Sequence, residues 1–128
     1  MKLLRSRRSL LAVAVALSAL ALPRDAGANG RFPTANQVAT NAADPTEVLM
    51  RTTFGLLVSH DRGKTFDWVC EQLVGYGGVQ DPGIAVFADG TLAAAAFEGL
   101  ATSRDGGCSW SFATEKGLAG EYVIDVAT

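Results

Sequence analysis

Two stretches of the chain, GLLVSHDRGKTFDWV (residues 55–69) and GLATSRDGGCSWSFA (residues 99–113), are one phrase written twice. At an offset of 44 residues they agree at Gly55/Gly99, Leu56/Leu100, Ser59/Ser103, Asp61/Asp105 and Gly63/Gly107. They keep kind at Thr65/Ser109 and Phe66/Trp110. The shared pattern, S-x-D-x-G-x-[ST]-aromatic, is expected by chance on the order of once in 10⁵–10⁶ start positions. Two copies in one short chain therefore mark a repeat. His60 is the chain's only histidine and stands between a serine and an aspartate, which invites a catalytic reading. Its counterpart in the second copy is Arg104, so it occupies a free position of the pattern and reads as an exposed turn residue.

Outward from the repeat, each copy carries four short apolar runs broken by Gly, Pro and Asp. In the first they fall near 36–41, 46–53, 55–59 and 66–70; in the second, near 83–87, 91–97, 99–103 and 110–114. Runs of this length with such punctuation fit antiparallel meanders. The upstream segments match in kind with one residue of slippage, each opening on a turn pair, Asp44-Pro45 or Asp89-Gly90. Ala93–Ala96 favours helix by propensity, but four residues are too few to hold one, and small side chains suit an inner strand. YVIDVAT (122–128) echoes NQVAT (36–40) and reads as the start of a third copy. The glycine-rich stretch 71–83 reads as a flexible linker between copies. A period of about 40–50 residues with four strands per repeat is the signature of propeller blades.

The repeated phrase makes physical sense as a turn between the third and fourth strands. Asp61 or Asp105 can accept hydrogen bonds from N–H groups of its own turn. Gly63 and Gly107 allow positive φ. Thr65 or Ser109 closes a second local bond, and Phe66 or Trp110 buries its ring beneath. The pattern resembles the Asp-box, or BNR repeat, of sialidases, sortilin-type receptors and related propellers. That resemblance implies a structural box of Ser59, Asp61, Gly63, Thr65 and Phe66, with Ser103, Asp105, Gly107, Ser109 and Trp110 as its second copy, on the periphery away from an active face. Arg31-Phe32-Pro33 is similar to the Arg-Ile-Pro element of sialidases and implies a substrate-carboxylate role for Arg31. Read by itself, Arg31 is a solvated arginine.

The first 28 residues stand outside the repeat. Lys2, Arg5, Arg7 and Arg8 precede an apolar run, Leu10–Leu22, that ends at Pro23 and a small-x-small site, Ala26-Gly27-Ala28. Thirteen residues, all but Ser18 apolar, are too few to cross a bilayer, which takes about 20. The segment reads as a cleaved export signal, of the general or, through Arg7-Arg8, the twin-arginine kind. The remainder, 29–128, holds 6 basic and 12 acidic residues, a net charge of −6. That balance argues against nucleic acid and anionic membrane surfaces as partners. Cys70 and Cys108 are an even pair in an oxidising compartment and predict a disulfide, worth roughly 3–4 kcal/mol on the chain-entropy model.

Other constellations are weak. Two cysteines and one histidine cannot complete a metal shell, no other cofactor motif is present, and GYGG (75–78) lacks the spacing and lysine of a phosphate loop. Glu71, Glu98 and Glu115 could serve glycoside hydrolysis only with a partner carboxylate about 5–10 Å away. Glu121 and Tyr122, neighbours on a strand, would point to opposite faces. The expected fold is all-β, a partial β-propeller with two four-stranded antiparallel blades, 36–70 and 83–114, and the start of a third at 121–128. A propeller closes with about 4–8 blades. The chain is thus expected to be an N-terminal fragment of a longer protein or to complete a ring by association. The expected function is an exported, non-catalytic module that binds protein or carbohydrate, without catalytic residues. The alternative is the N-terminal part of a sialidase-like glycoside hydrolase.

Overall fold

A computed structural model describes residues 31–77 and 80–128. The export signal expected over 1–28 lies outside the described residues. Residues 31–128 form one compact unit built of two four-stranded antiparallel sheets. The first runs β1 (Ala35–Thr40), β2 (Val48–Thr52), β3 (Gly55–Ser59) and β4 (Asp67–Val69). After a one-turn helix, α1 (Glu71–Val74), the second runs β5 (Gly83–Val86), β6 (Leu92–Ala96), β7 (Gly99–Ser103) and β8 (Ser111–Phe112). In both sheets spatial order follows sequence order, so each is a simple meander. The all-β reading and the two blades hold. Residues 121–128 form no strand; Val123 instead donates one backbone hydrogen bond to the Ala96 carbonyl at 3.2 Å.

Strand alternation builds the core. Leu49, Leu56, Val58 and Val69 point from blade one into a buried cluster with Ile84, Val86, Leu92, Ala94, Ala96 and Ala101 of blade two. Burying each large side chain contributes about 1.5–3 kcal/mol. The alanines of β6 are buried on both faces, at 3% exposure or less, because blade two lies between blade one and the chain that follows β8. That sandwich holds a helix-favouring run in a strand: tertiary burial outweighs a propensity difference of under 1 kcal/mol per residue. No slippage separates the strands β2 and β6. Both stay at the 44-residue offset, and the extra residues sit in the β1–β2 loop. There Asn41, 4% exposed, accepts the N–H groups of Ala43 and Asp44 and donates to Glu47.

Each box is a hydrogen-bonded clamp. Ser59 is buried; its hydroxyl accepts the Gly63 N–H at 2.8 Å and donates to Asp61 at 2.8 Å. Asp61 accepts the N–H groups of Lys64 and Thr65, each at 2.9 Å, and the Thr65 hydroxyl at 2.7 Å. The second box repeats the pattern through Ser103, Asp105, Gly107 and Ser109, and Trp110 adds an indole N–H bond to the Gly107 carbonyl. These bonds favour the charged carboxylates. Hydrogen bonds from Thr65, then Ser59 and Lys64, hold Asp61 well below the usual carboxylate range. Bonds from Ser109, then Ser103, hold Asp105 at about 2.

One pattern position read as free is constrained. Arg62 has φ +66°, and its counterpart Gly106 has φ +70°. An L-residue there costs about 1–2 kcal/mol; glycine avoids that penalty. His60 is exposed, as expected, yet its ring lies where a side chain on Gly106 would stand. The second box turn also seats against blade one, since a Cβ on Gly107 would meet Val58 at 3.1 Å and Val69 at 3.5 Å.

Two expectations need correction. The Cys70–Cys108 bridge is not formed, and both thiols are free. Val69 takes the buried direction toward Gly107, and alternation turns its neighbour Cys70 away from the box that carries the exposed Cys108. The 71–83 stretch is not a plain flexible linker. Four of its residues form α1, which ends on Gly75 at φ +100°, and Val74 and Tyr76 are 2% and 4% exposed.

Three outcomes follow from this geometry. Asp61 and Asp105 have folded pKa values below the ordinary value of about 3.9, so their contribution is present above pH 4 and is lost as pH falls toward 2. An Asp61→Asn, Asp105→Asn variant has a lower Tm than the parent at pH 7 and a smaller Tm change between pH 4 and 2; equal slopes in thermal melts would refute the assignment. Gly55→Ala forces a Cβ against the Val69 carbonyl at φ +125° and lowers stability by about 2–4 kcal/mol in denaturant titration. Arg62→Gly relieves the positive φ and raises it by about 0.5–1 kcal/mol.

Candidate functional site

The antiparallel meander separates two ends of each blade. The boxes follow β3 and β7 and occupy one end. At the other lie the two-residue turns Thr53-Phe54 and Phe97-Glu98, the segment joining the blades, and Arg31 ahead of β1. All ten box residues fall at the first end. Ser59 is 1% exposed and its hydroxyl is committed to Asp61, so His60, Asp61 and Ser59 make no catalytic triad. A shallow groove of about 250 Å³ lies on the second box, lined by Thr102, Arg104, Asp105, Ser109, Trp110 and Ser111. Asp105 there already serves its own turn.

The linker end carries the concentrated chemistry. Arg31 is not a solvated arginine: its Nη2 donates to Asp81 Oδ2 at 2.5 Å, a pair 26% and 38% exposed. Its Nη1 is buried without a partner among the described residues. The Asp81 bond holds the guanidinium still more firmly protonated, and it also places a carboxylate where an incoming carboxylate would compete. Arg51 clamps the joint between the blades. Its Nε donates to Asn36 at 2.9 Å, and its Nη1 to the carbonyls of Asp81 and Pro82 at 2.9 and 3.0 Å. Beside these groups Tyr76 is buried, its hydroxyl without a hydrogen-bond partner among the described residues. Burial pushes that phenol above its ordinary range, with Glu71 and Asp81 adding to the shift. A buried, harder-to-ionise phenol is the opposite of an activated nucleophile.

At the surface of the same end, Phe97 and Tyr122 stack with ring centroids 4.4 Å apart and planes 17° apart. They are 50% and 59% exposed, so each keeps an outer face open to solvent. Gln80 ties this corner together: its amide oxygen accepts the Phe97 N–H at 3.0 Å, and its NH₂ donates to both oxygens of Glu98 at 2.9 and 3.1 Å. Sequence reading placed Tyr122 on a strand, paired only with Glu121. The stack depends on 121–128 folding back over the Phe97 turn, which no local pattern announces. Glu71 lies at the same end, in the first turn of α1. Among the described residues no group of three His, Cys, Asp or Glu could hold a metal ion, and no helix is long and apolar enough to cross a membrane.

No protein-family model matches the chain, and no curated protein matches it. Among solved structures it is similar to a GH74 enzyme of Niastella koreensis, a β-propeller glycoside hydrolase, with 24% identity and a TM-score of 0.50. The match covers 71% of this chain and 12% of that enzyme, so the chain spans about an eighth of its length. A likeness at this level speaks for fold alone. Joined to the two four-stranded antiparallel sheets, it makes the architecture that of partial β-propeller blades.

Proposed function

We propose that this chain is an exported, non-catalytic propeller portion whose linker end binds carbohydrate. The observation that carries the reading is the half-exposed Phe97–Tyr122 stack beside the Gln80–Glu98 pair. An aromatic face accepts the apolar C–H face of a sugar ring, and a carboxylate with an amide next to it can meet the hydroxyls. The non-catalytic part rests on the carboxylates that the fold perturbs. Asp44, Asp61, Asp89 and Asp105 each commit their oxygens to hydrogen bonds within their own turns.

A second reading, part of a glycoside hydrolase whose other catalytic groups lie on further blades, is favoured by the fold likeness to the GH74 enzyme. Isothermal titration of the chain against a panel of soluble polysaccharides and sialylated glycans tests both. One glycan class binds, and Phe97→Ala weakens it about tenfold, near 1.4 kcal/mol, with an unchanged circular dichroism spectrum. Release of new reducing ends or free sialic acid would favour the hydrolase. Absence of binding across the panel, or binding indifferent to Phe97→Ala, would overturn the proposed surface.

A further inference from the structure

Charge decides which glycans the Phe97–Tyr122 stack can take. Each ring has a carboxylate as its chain neighbour: Glu98 follows Phe97, and Glu121 precedes Tyr122, both exposed. Glu98 is the one held in place. The Gln80 amide oxygen accepts the Phe97 N–H at 3.0 Å, which turns the NH₂ of the same amide toward Glu98. Gln80 is neutral, so it orders the carboxylate without cancelling its charge. A carboxylate offers about four acceptor positions. Gln80 takes two at most and leaves the rest of this exposed group to a ligand.

The arginines of this end are engaged elsewhere. Arg31 is paired with Asp81, and Arg51 donates to Asn36 and to the carbonyls of Asp81 and Pro82. Among the described residues neither Glu98 nor Glu121 has a salt-bridge partner. Asp125, on the same returning segment as Tyr122, sets a further carboxylate against Gly83. The rings therefore stand in unneutralised negative surroundings. A sialylated or otherwise acidic glycan meets like charge there, whereas a neutral one gains only the stacking of its C–H face. A protonated amine gains twice over: it donates a charge-assisted hydrogen bond to the carboxylate and is attracted to the face of an aromatic ring.

We propose that this corner selects glycans with free amino groups, a short chain of glucosamine units being the simplest. The sugar ring lies on the outer face of Phe97 or Tyr122, and its ammonium donates to Glu98. This rests on the reading that the linker end binds carbohydrate, and it adds the class of sugar. Acetylation of the amine removes the charge and keeps the ring, so the N-acetylated chain is the matched control.

Isothermal titration with a glucosamine tetramer and its N-acetylated counterpart, at about pH 6 where ordinary carboxylates are ionised, is the test. The glucosamine chain binds about tenfold tighter, and raising the salt from about 0.05 to about 0.5 M narrows the gap. Glu98→Gln, which keeps the size and removes the charge, abolishes most of that preference. Asp67→Asn, at an exposed carboxylate of the box end, leaves it unchanged. Phe97→Ala weakens both chains. Equal or tighter binding of the N-acetylated chain, with Phe97→Ala still weakening it, overturns the amine selectivity and leaves the carbohydrate surface standing. A preference that Glu98→Gln leaves intact, or that Asp67→Asn lowers as much, overturns the placement at Glu98. Binding of neither chain overturns the selectivity, and the carbohydrate reading falls with it if the wider glycan panel is silent too.

Discussion

The fold depends on a buried serine hydroxyl at the top of each third strand. Ser59 and Ser103, at 1% and 2% exposure, have lost water, and each must find partners within the protein. Each accepts a glycine N–H and donates to an aspartate, which in turn gathers the N–H and hydroxyl of the residue four further on. Leaving such a group unsatisfied costs about 1–3 kcal/mol. The network therefore admits one turn conformation, which sets where the fourth strand returns. In blade two the same turn brings Gly107 against Val58 and Val69, so local hydrogen bonding and inter-blade packing form one unit.

This arrangement makes the two ends of the molecule chemically unlike. The box end is occupied by bonds that its residues make to one another, and its aspartates are saturated. The linker end is different: its turns are two residues long and the joint between blades is held by Arg51, which leaves aromatic rings and carboxylates facing outward. A rigid scaffold at one end with adaptable surface at the other is the usual placement of binding groups on repeat folds.

The repeat, the strand order and the role of each box were readable from residue identity, because Ser, Asp and Gly there act on their own backbone neighbours. Misreadings came where distant contacts decide. Ala93–Ala96 is a strand because it is covered on both faces. Tyr76 is buried inside what composition marks as a flexible linker. Cys70 and Cys108 occur as a pair, but strand alternation directs them apart. The Phe97–Tyr122 stack joins a turn to a segment whose echo of β1 predicted a strand. Arg31 was visible as a candidate, yet its partner Asp81 lies 50 positions away, beyond any local pattern.

The difference between the two boxes at their fourth position carries a rule about order. Arg62 bears the unfavourable backbone conformation, whereas Gly106 takes it freely, and the space that Gly106 leaves is filled by His60 of the preceding box. The blades are therefore not interchangeable cassettes. A chain with blade one duplicated in tandem would place an arginine where the histidine ring now rests. A box with a bulky fourth residue can lead such a pair, but the box that follows a histidine must be bare at that point. The residue at a nominally free position thus depends on which neighbour its blade meets.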